Sequence, residues 1–315
     1  SGNIIKQDFK DLDLKINAYR QAGVSLADMK IIFYVAFDHN WVMKKNNKSQ
    51  LNPWSREWEK AFELFLNGLT AHLKKEYGLD ADHLILYCCD EPHGDVEQPG
   101  SRMEVAYRAA KLIKKINPQV KTMVNPQIKE DALTAKNLQK LAEVYDILEL
   151  YRGRTTPKIV KWAKDTGREI WTYHILQRIN SPSLYRRMAW LNLKDGISAV
   201  ISYWHFDQMA GGDGFNAYDV FPRKSNSADY GTVYCDFNYG TSMTSRRQEA
   251  WYRGFLDYKL ATYCRQRIME QKKQGKDMSA QEKELDQIID AGIDGNMEAM
   301  EQARLKLLEL AIRLK

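Results

Sequence analysis

The stretch Tyr87-Cys88-Cys89-Asp90-Glu91-Pro92-His93-Gly94-Asp95 runs an apolar segment straight into two adjacent carboxyl groups. Two carboxyls held close together resist double ionisation, so one keeps its proton near neutral pH and can act as an acid while the other stays charged. Neighbours on a regular strand face opposite sides, so Asp90 and Glu91 can serve one pocket only where a strand ends and turns. Pro92 restricts Glu91 to an extended backbone. By spacing alone, the pair equally suits a helix cap or a salt bridge at a loop start. Asp90, Glu91, His93 and Asp95 also offer oxygen and nitrogen ligands to a metal. Pro92 breaks any helical register there and the spacing matches no H-E-x-x-H arrangement, so no metal is expected. His39, His72 and His174 stand apart from one another, and no G-x-S-x-G serine is present to support nucleophilic catalysis.

A second pattern accompanies the pair. Phe37-Asp38-His39-Asn40-Trp41, Asn125, Tyr151-Arg152, Trp171-Thr172-Tyr173-His174 and Tyr203-Trp204-His205-Phe206-Asp207 all fall at the C-terminal ends of predicted strands. Flat aromatic faces beside Asn, Asp, His and Arg suit a sugar ring, which has apolar C–H faces and a polar rim. Barrel enzymes place their sites at this end of their strands.

The elements that must position these residues alternate along the chain. Strands are predicted at Lys30–Phe37, His83–Asp90, Lys121–Asn125, Ile147–Tyr151, Glu169–His174 and Gly196–Trp204. Helices are predicted at Phe9–Ala22, Ser55–Tyr77, Glu104–Ile116, Ala135–Val144, Pro157–Thr166 and Ser183–Leu193. Nearly continuous apolar strands joined by helices imply an α/β fold with a parallel sheet. No strand leads into G-x-G-x-x-G or G-x-x-x-x-G-K-[ST], which favours a barrel over the nucleotide-binding sheets. A long Gly- and aromatic-rich segment, His205–Ser245, includes a predicted hairpin around Val233–Tyr239. Helical patterns follow at Arg246–Met269 and Asp277–Leu314, the latter with breaks at Gly292 and Gly295.

Composition sets outer bounds. The 315 residues are 44% hydrophobic and 28% charged, enough for a sizeable core and unlike a disordered or collagen-like chain. The net charge of +6 is spread over helix faces such as Lys111-Leu112-Ile113-Lys114-Lys115, so no nucleic-acid partner is expected. No apolar run reaches the roughly 18 residues that span a bilayer, so no membrane span is expected, and the opening residues are too polar for a signal peptide. The four cysteines form no C-x-x-C and read as buried free thiols.

Together, Tyr87–Pro92, the Gly196–Trp204 strand with its Gly/Asp/aromatic loop, and Ser245-Arg246-Arg247-Gln248-Glu249-Ala250-Trp251-Tyr252-Arg253-Gly254-Phe255-Leu256-Asp257-Tyr258 resemble glycoside hydrolase family 123 and related bacterial proteins. The likeness covers about Ile31 to Leu260. It implies a (β/α)8 TIM-type barrel and retaining hydrolysis of a β-linked N-acetylhexosamine, N-acetylgalactosamine first, with the substrate's acetamido group as nucleophile and no cofactor. Glu91 would then be the general acid/base, and Asp90 would orient the acetamido group. A conventional retaining enzyme needs a second carboxylate roughly 5 Å away, and the C-terminal end of Glu169–His174 offers none. By strand-end position, Trp171, Tyr173, Tyr203 and Trp204 are expected to line the acetamido pocket, with Asn125 and Tyr151 near the leaving sugar.

If Asp90-Glu91 ends the fourth barrel strand, the six strands are the third to the eighth, and either the barrel lacks its first strands or the apolar pattern near the N-terminus conceals them. The expected organisation is a barrel over residues 1–265 and a C-terminal helical extension over 266–315. The expected partner is a glycan, and the resemblance implies a periplasmic or extracellular location. Two alternatives are an inactive carbohydrate-binding barrel and a conventional glycosidase acting on a sugar without the acetamido group. The latter would use Asp38, Asp207 or Asp213 as its second carboxylate.

Overall fold

The computed structural model describes residues 7–35, 54–174, 176, 180–197, 199–200, 233–236 and 241–315. The chain divides into two compact units, Ser1–Ile170 and Trp171–Lys315. Asp38, Tyr203, Trp204, Asp207 and Asp213 lie outside the described residues.

The first unit alternates helix and strand in the predicted order: α1 (Lys10–Gln21), β1 (Ile31–Tyr34), α2 (Arg56–Tyr77), β2 (Leu84–Tyr87), α3 (Arg102–Ile116), β3 (Lys121–Val124), α4 (Ala132–Leu141), β4 (Ile147–Tyr151) and α5 (Pro157–Asp165). Strands β1 to β4 are parallel and neighbour one another in chain order. A doubly wound sheet reverses its order at a switch point, whereas an unreversed run of βα units is the topology of a (β/α) barrel. The register aligns Tyr34, Tyr87, Met123 and Ile147 in one row. Residues two apart share a face, so Glu149 and Tyr151 follow Ile147 on the same side of β4. Continuing the β3–β4 register one step places Asn125 level with Glu149.

The helices start where the sequence supplies caps. The hydroxyls of Ser55, Ser101 and Thr156 and the carboxylate of Asp131 accept the N–H of the residue three on, opening α2, α3, α5 and α4. Each such cap contributes about 1 kcal/mol, and each fixes the end of a loop that leaves a strand's C-terminal end. Helix α2 buries Trp58, Phe62, Leu66, Leu69 and Leu73 at helical spacing and stops at Gly78, whose φ of 71° suits glycine. At the strands' other ends, Asp146 accepts from Lys114 at 2.6 Å and from the Thr122 amide at 2.8 Å, pinning α3 to the start of β3 and β4.

The second unit takes up β5 (Glu169–Tyr173) from Trp171 onward, and β5 pairs in parallel with β6 (Ala199–Val200). Its other elements are α6 (Pro182–Asp195), an antiparallel hairpin of β7 (Val233–Asp236) and β8 (Thr241–Thr244), α7 (Arg246–Lys273), α8 (Ser279–Asp294) and α9 (Met297–Arg313). Helices α6 to α9 share one core, including Trp190, Cys264, Ile289, Met300 and Leu307. The expected division at residue 265 falls inside α7, an unbroken helix whose residues on both sides of that point, Ala261 and Ile268, enter this core.

The motif on α7 has a structural use here. Asp257 and Arg186 are both 0% exposed and paired, at 2.6 Å from Nε to Oδ2 and 3.2 Å from Nη2 to Oδ1. Trp190 Nε1 and Arg304 also donate to Asp257. A Cβ on Gly254 would lie 2.9 Å from the Arg186 carbonyl, so glycine is what lets α6 and α7 approach. Tyr258 donates its hydroxyl to the Ile197 carbonyl. One expectation is corrected: Gly292 does not break the chain but sits inside α8, where a Cβ would come within 2.4 Å of the Trp190 ring. Gly295 is the break, ending α8.

Replacing Asp257 by Ala removes two of the bonds to the buried Arg186 guanidinium and leaves it the Glu301 carboxylate, bonded from Nη1 at 2.6 Å, so the expected loss of unfolding free energy is about 3 kcal/mol. Denaturant titration reads this directly; an unchanged midpoint would show that the pair does not support the helical unit.

Candidate functional site

The buried side chains of Leu84, Ile85 and Leu86 hold β2 in the sheet, and Cys88 and Cys89 continue inward, both 0% exposed. Burial pushes the Cys88 thiol up to about 12, so it is no nucleophile at neutral pH. The chain then turns outward at Asp90, which is exposed, while Glu91 is half-buried and Pro92 buried.

Three groups define the turn. The Tyr87 hydroxyl donates to Asp90 Oδ1 at 2.7 Å, and Asn125 Nδ2 donates to the same oxygen at 3.2 Å. Asn125 Oδ1 accepts the Glu91 backbone N–H at 2.8 Å. Asn125 is only 4% exposed, so one buried amide at the end of β3 holds both members of the carboxyl pair. Arg102 Nη2 donates to the Asp90 carbonyl at 2.6 Å, and the Gln127 N–H to the Pro92 carbonyl at 3.0 Å. Burial, and then the bond to Asp90, push the Tyr87 phenol far above its ordinary value, making it a permanent donor.

This network overrides the proline rule. Glu91 was expected to be extended, but its φ is +42°, in the left-handed region, and among the described residues it shares positive φ with only one other non-glycine, Trp54. The fixed bonds on Asp90, Glu91 and Pro92 impose the turn against local preference. A backbone held this way stores about 1–3 kcal/mol and persists where surrounding structure over-determines it, often at functional sites.

The loop beyond is equally constrained. Asn137 of α4 bonds the Gly94 carbonyl at 2.9 Å and the Val96 amide at 3.1 Å, and Ser101 Oγ donates to the Asp95 carbonyl at 2.6 Å. The Glu97 amide and then Lys136 hold the Asp95 carboxyl below its ordinary range. Asp95 therefore serves the loop. Among the described residues no group of three or more His, Cys, Asp or Glu is placed to hold a metal ion.

A residue that strand-end reasoning passed over completes the cluster. Glu149, in the middle of β4, is 5% exposed. Burial, and secondarily the Asp90 charge, push its carboxyl up to about 8, so it keeps its proton at neutral pH. The mutual effect of close carboxyls joins Glu149 to Asp90. The signal was available in Ile147-Leu148-Glu149-Leu150-Tyr151, where an acid interrupts an otherwise apolar strand.

The remaining expected residues are placed as follows. Tyr151 ends β4 half-buried, on the Glu149 face, with its ring against Gly153, where a Cβ would come within 2.7 Å. Trp171 and Tyr173 belong to the second unit and share one face of β5, half-buried and buried respectively. Thr172, on the opposite face, bonds Asn192 at 2.9 Å.

No family model matches the chain, and no curated protein matches it. Among solved structures, the chain is similar to a psychrophilic glycoside hydrolase family 10 endo-β-1,4-xylanase, with a TM-score of 0.42 and 14% identity over 65% of this chain and 74% of that one. It is also similar to a glycoside hydrolase family 30 subfamily 8 xylanase from Clostridium acetobutylicum, with a TM-score of 0.37 and 11% identity over 62% of this chain and 46% of that one. A monomeric β-xylosidase from Caulobacter crescentus CB15 gives a TM-score of 0.38 and 12% identity, over 63% of this chain and 46% of that one. Likeness at this level decides no chemistry, and the site's own geometry carries the functional reading.

Two outcomes follow from the site. Asn125→Ala strands the Glu91 amide and frees one side of Asp90, for an expected loss of about 1–3 kcal/mol in denaturant unfolding. Glu149 ionises near 4.5 when unfolded and near about 8 when folded, so between these values the folded state holds the extra proton. Wild-type stability therefore falls as pH rises through that window and levels off above it. Glu149→Gln removes the fall: its stability relative to wild type should grow between about pH 5 and about pH 8 by on the order of a few kcal/mol, read by urea unfolding across the range.

Proposed function

We propose that the protein is a glycoside hydrolase of the family 123 type, cleaving a β-linked N-acetylhexosamine, N-acetylgalactosamine first, with help from the substrate's acetamido group. The observation that carries this reading is the Asp90 carboxylate, fixed through Oδ1 by Tyr87 and Asn125 next to Glu91 on a strained turn at the C-terminal end of β2. Both donors engage Oδ1, and Oδ2 is the oxygen that would accept the acetamido N–H.

In this mechanism Glu91 protonates the leaving glycosidic oxygen while the acetamido oxygen attacks the anomeric carbon and the C–O bond breaks. Asp90 takes the N–H and balances the positive charge of the cyclic intermediate. Glu91, now ionised, accepts a proton from water as its oxygen opens the ring, and configuration is retained. Charge developing beside a preorganised carboxylate is stabilised more in the transition state than in the ground state. Tyr151, Trp171, Tyr173, Tyr203 and Trp204 are proposed as sugar-binding faces. Asn125, whose amide is engaged at both ends by the pair, is proposed as a positioning residue rather than a direct sugar ligand. The proposed partner is a glycan, in a periplasmic or extracellular setting. No helix among the described residues is long and apolar enough to cross a membrane.

The test is release of nitrophenol from the aryl β-N-acetylgalactosaminide, beside the glucosaminide and the plain galactoside. Turnover of the N-acetylgalactosaminide, falling at least about 100-fold in Glu91→Gln and in Asp90→Asn, is the expected result. Turnover of the plain galactoside would demand a protein nucleophile and sink substrate assistance. Folded protein silent on all three would favour the inactive carbohydrate-binding alternative.

A further inference from the structure

Glu149 is a buried titratable group that the proposed reaction does not use. A carboxyl in the interior is held either by structural partners or by function. Its neighbourhood is that of the carboxyl pair. It lies level with Asn125 across the β3–β4 register, and Asn125 bonds Asp90 at 3.2 Å. It stands on the face of β4 that carries Ile147 and Tyr151, in line with Tyr34, Tyr87 and Met123. Among the described residues, the charged group that acts on it is the Asp90 carboxylate. Tyr87 of β2 is a neutral phenol, kept so by burial and by its bond to Asp90, and its ring lies 4.9 Å from that of Tyr34 of β1. From β3, Met123 and Asn125 do not titrate, and Arg102 engages the Asp90 backbone carbonyl.

We propose that Glu149 and Asp90 form one carboxylic acid–carboxylate pair, Glu149 holding the proton, so that together they present a single negative charge to a neutral ligand that turns cationic as it reacts. Glu149 is in this sense a positioning residue acting through Asp90. If both were ionised, the second charge would repel the first and draw Asp90 away from the geometry that Tyr87 and Asn125 impose. If both were neutral, nothing would balance the developing cation. The pairing itself rests on the geometry above, and only its catalytic consequence rests on the glycosidase reading.

Carbon-13 NMR of protein labelled at glutamate carboxyls, followed over pH, tests the pairing without substrate. One resonance should titrate near pH 8, be missing from Glu149→Gln, and move toward acid by about one pH unit in Asp90→Asn. A Glu149 resonance with an ordinary midpoint, or one that Asp90→Asn leaves in place, overturns the proposal. The second arm is the pH profile of kcat/KM on the aryl β-N-acetylgalactosaminide. Loss of the Glu91 acid gives both proteins an alkaline limb, so above the Glu149 midpoint wild type should fall more steeply than Glu149→Gln, by about a further tenfold per pH unit. Equal slopes above that midpoint in wild type and Glu149→Gln overturn the catalytic consequence. If the coupled titration is found in a protein that turns over no glycoside, the pair stands and the hydrolase reading falls.

Discussion

The candidate site depends on how Asn125 divides its amide. The oxygen takes the Glu91 backbone N–H and the nitrogen gives to the Asp90 carboxylate, at 2.8 and 3.2 Å. A single side chain at the end of β3 therefore fixes both the path of the chain after β2 and the aim of its charged group. Because Asn125 is buried, either bond lost would leave a polar group without water to replace its partner, which makes the arrangement rigid. Everything around it serves the same end. The caps on α3 and α4 set the loop ends, Asn137 ties the Gly94 loop to α4, and the Lys114–Asp146 clamp secures the far ends of β3 and β4.

The same constraint explains which parts of the molecule were legible from residues alone. All six predicted βα strands exist, because buried parallel strands read as apolar runs and the helices that follow β1 to β4 carry hydroxyl or carboxylate caps. Strand ends were read too long: β2 stops at Tyr87, ahead of the turn that Tyr87 and Asn125 hold at Asp90. The conformation of Glu91 was misread because a rule for the residue before proline is local, while the bond that decides it comes from Asn125, 34 positions away. Glu149 was passed over because attention to strand ends misses an acid in the middle of a strand. Gly292 was taken for a break because composition cannot distinguish a glycine that ends a helix from one that admits a tryptophan ring.

Electrostatics give the site its chemical character. Asp90 is a carboxylate held by neutral donors, Tyr87 is a phenol kept protonated, and Glu149 is an acid kept protonated by burial and by the Asp90 charge. Environments that push neighbouring titratable groups apart mark where acid and base roles are divided. The helical unit is built differently: its buried charges, Arg186 and Asp257, are mutually paired and fully enclosed, and they serve packing.

Substrate assistance is the central chemical claim, and the ring-closed thiazoline analogue of N-acetylgalactosamine tests it most directly, because it mimics the intermediate that the acetamido group would form. By calorimetry, the account predicts binding at least about 100-fold tighter than N-acetylgalactosamine itself, with most of the preference lost in Asp90→Asn. Equal affinity for the analogue and the parent sugar, or a preference that survives Asp90→Asn, would contradict it.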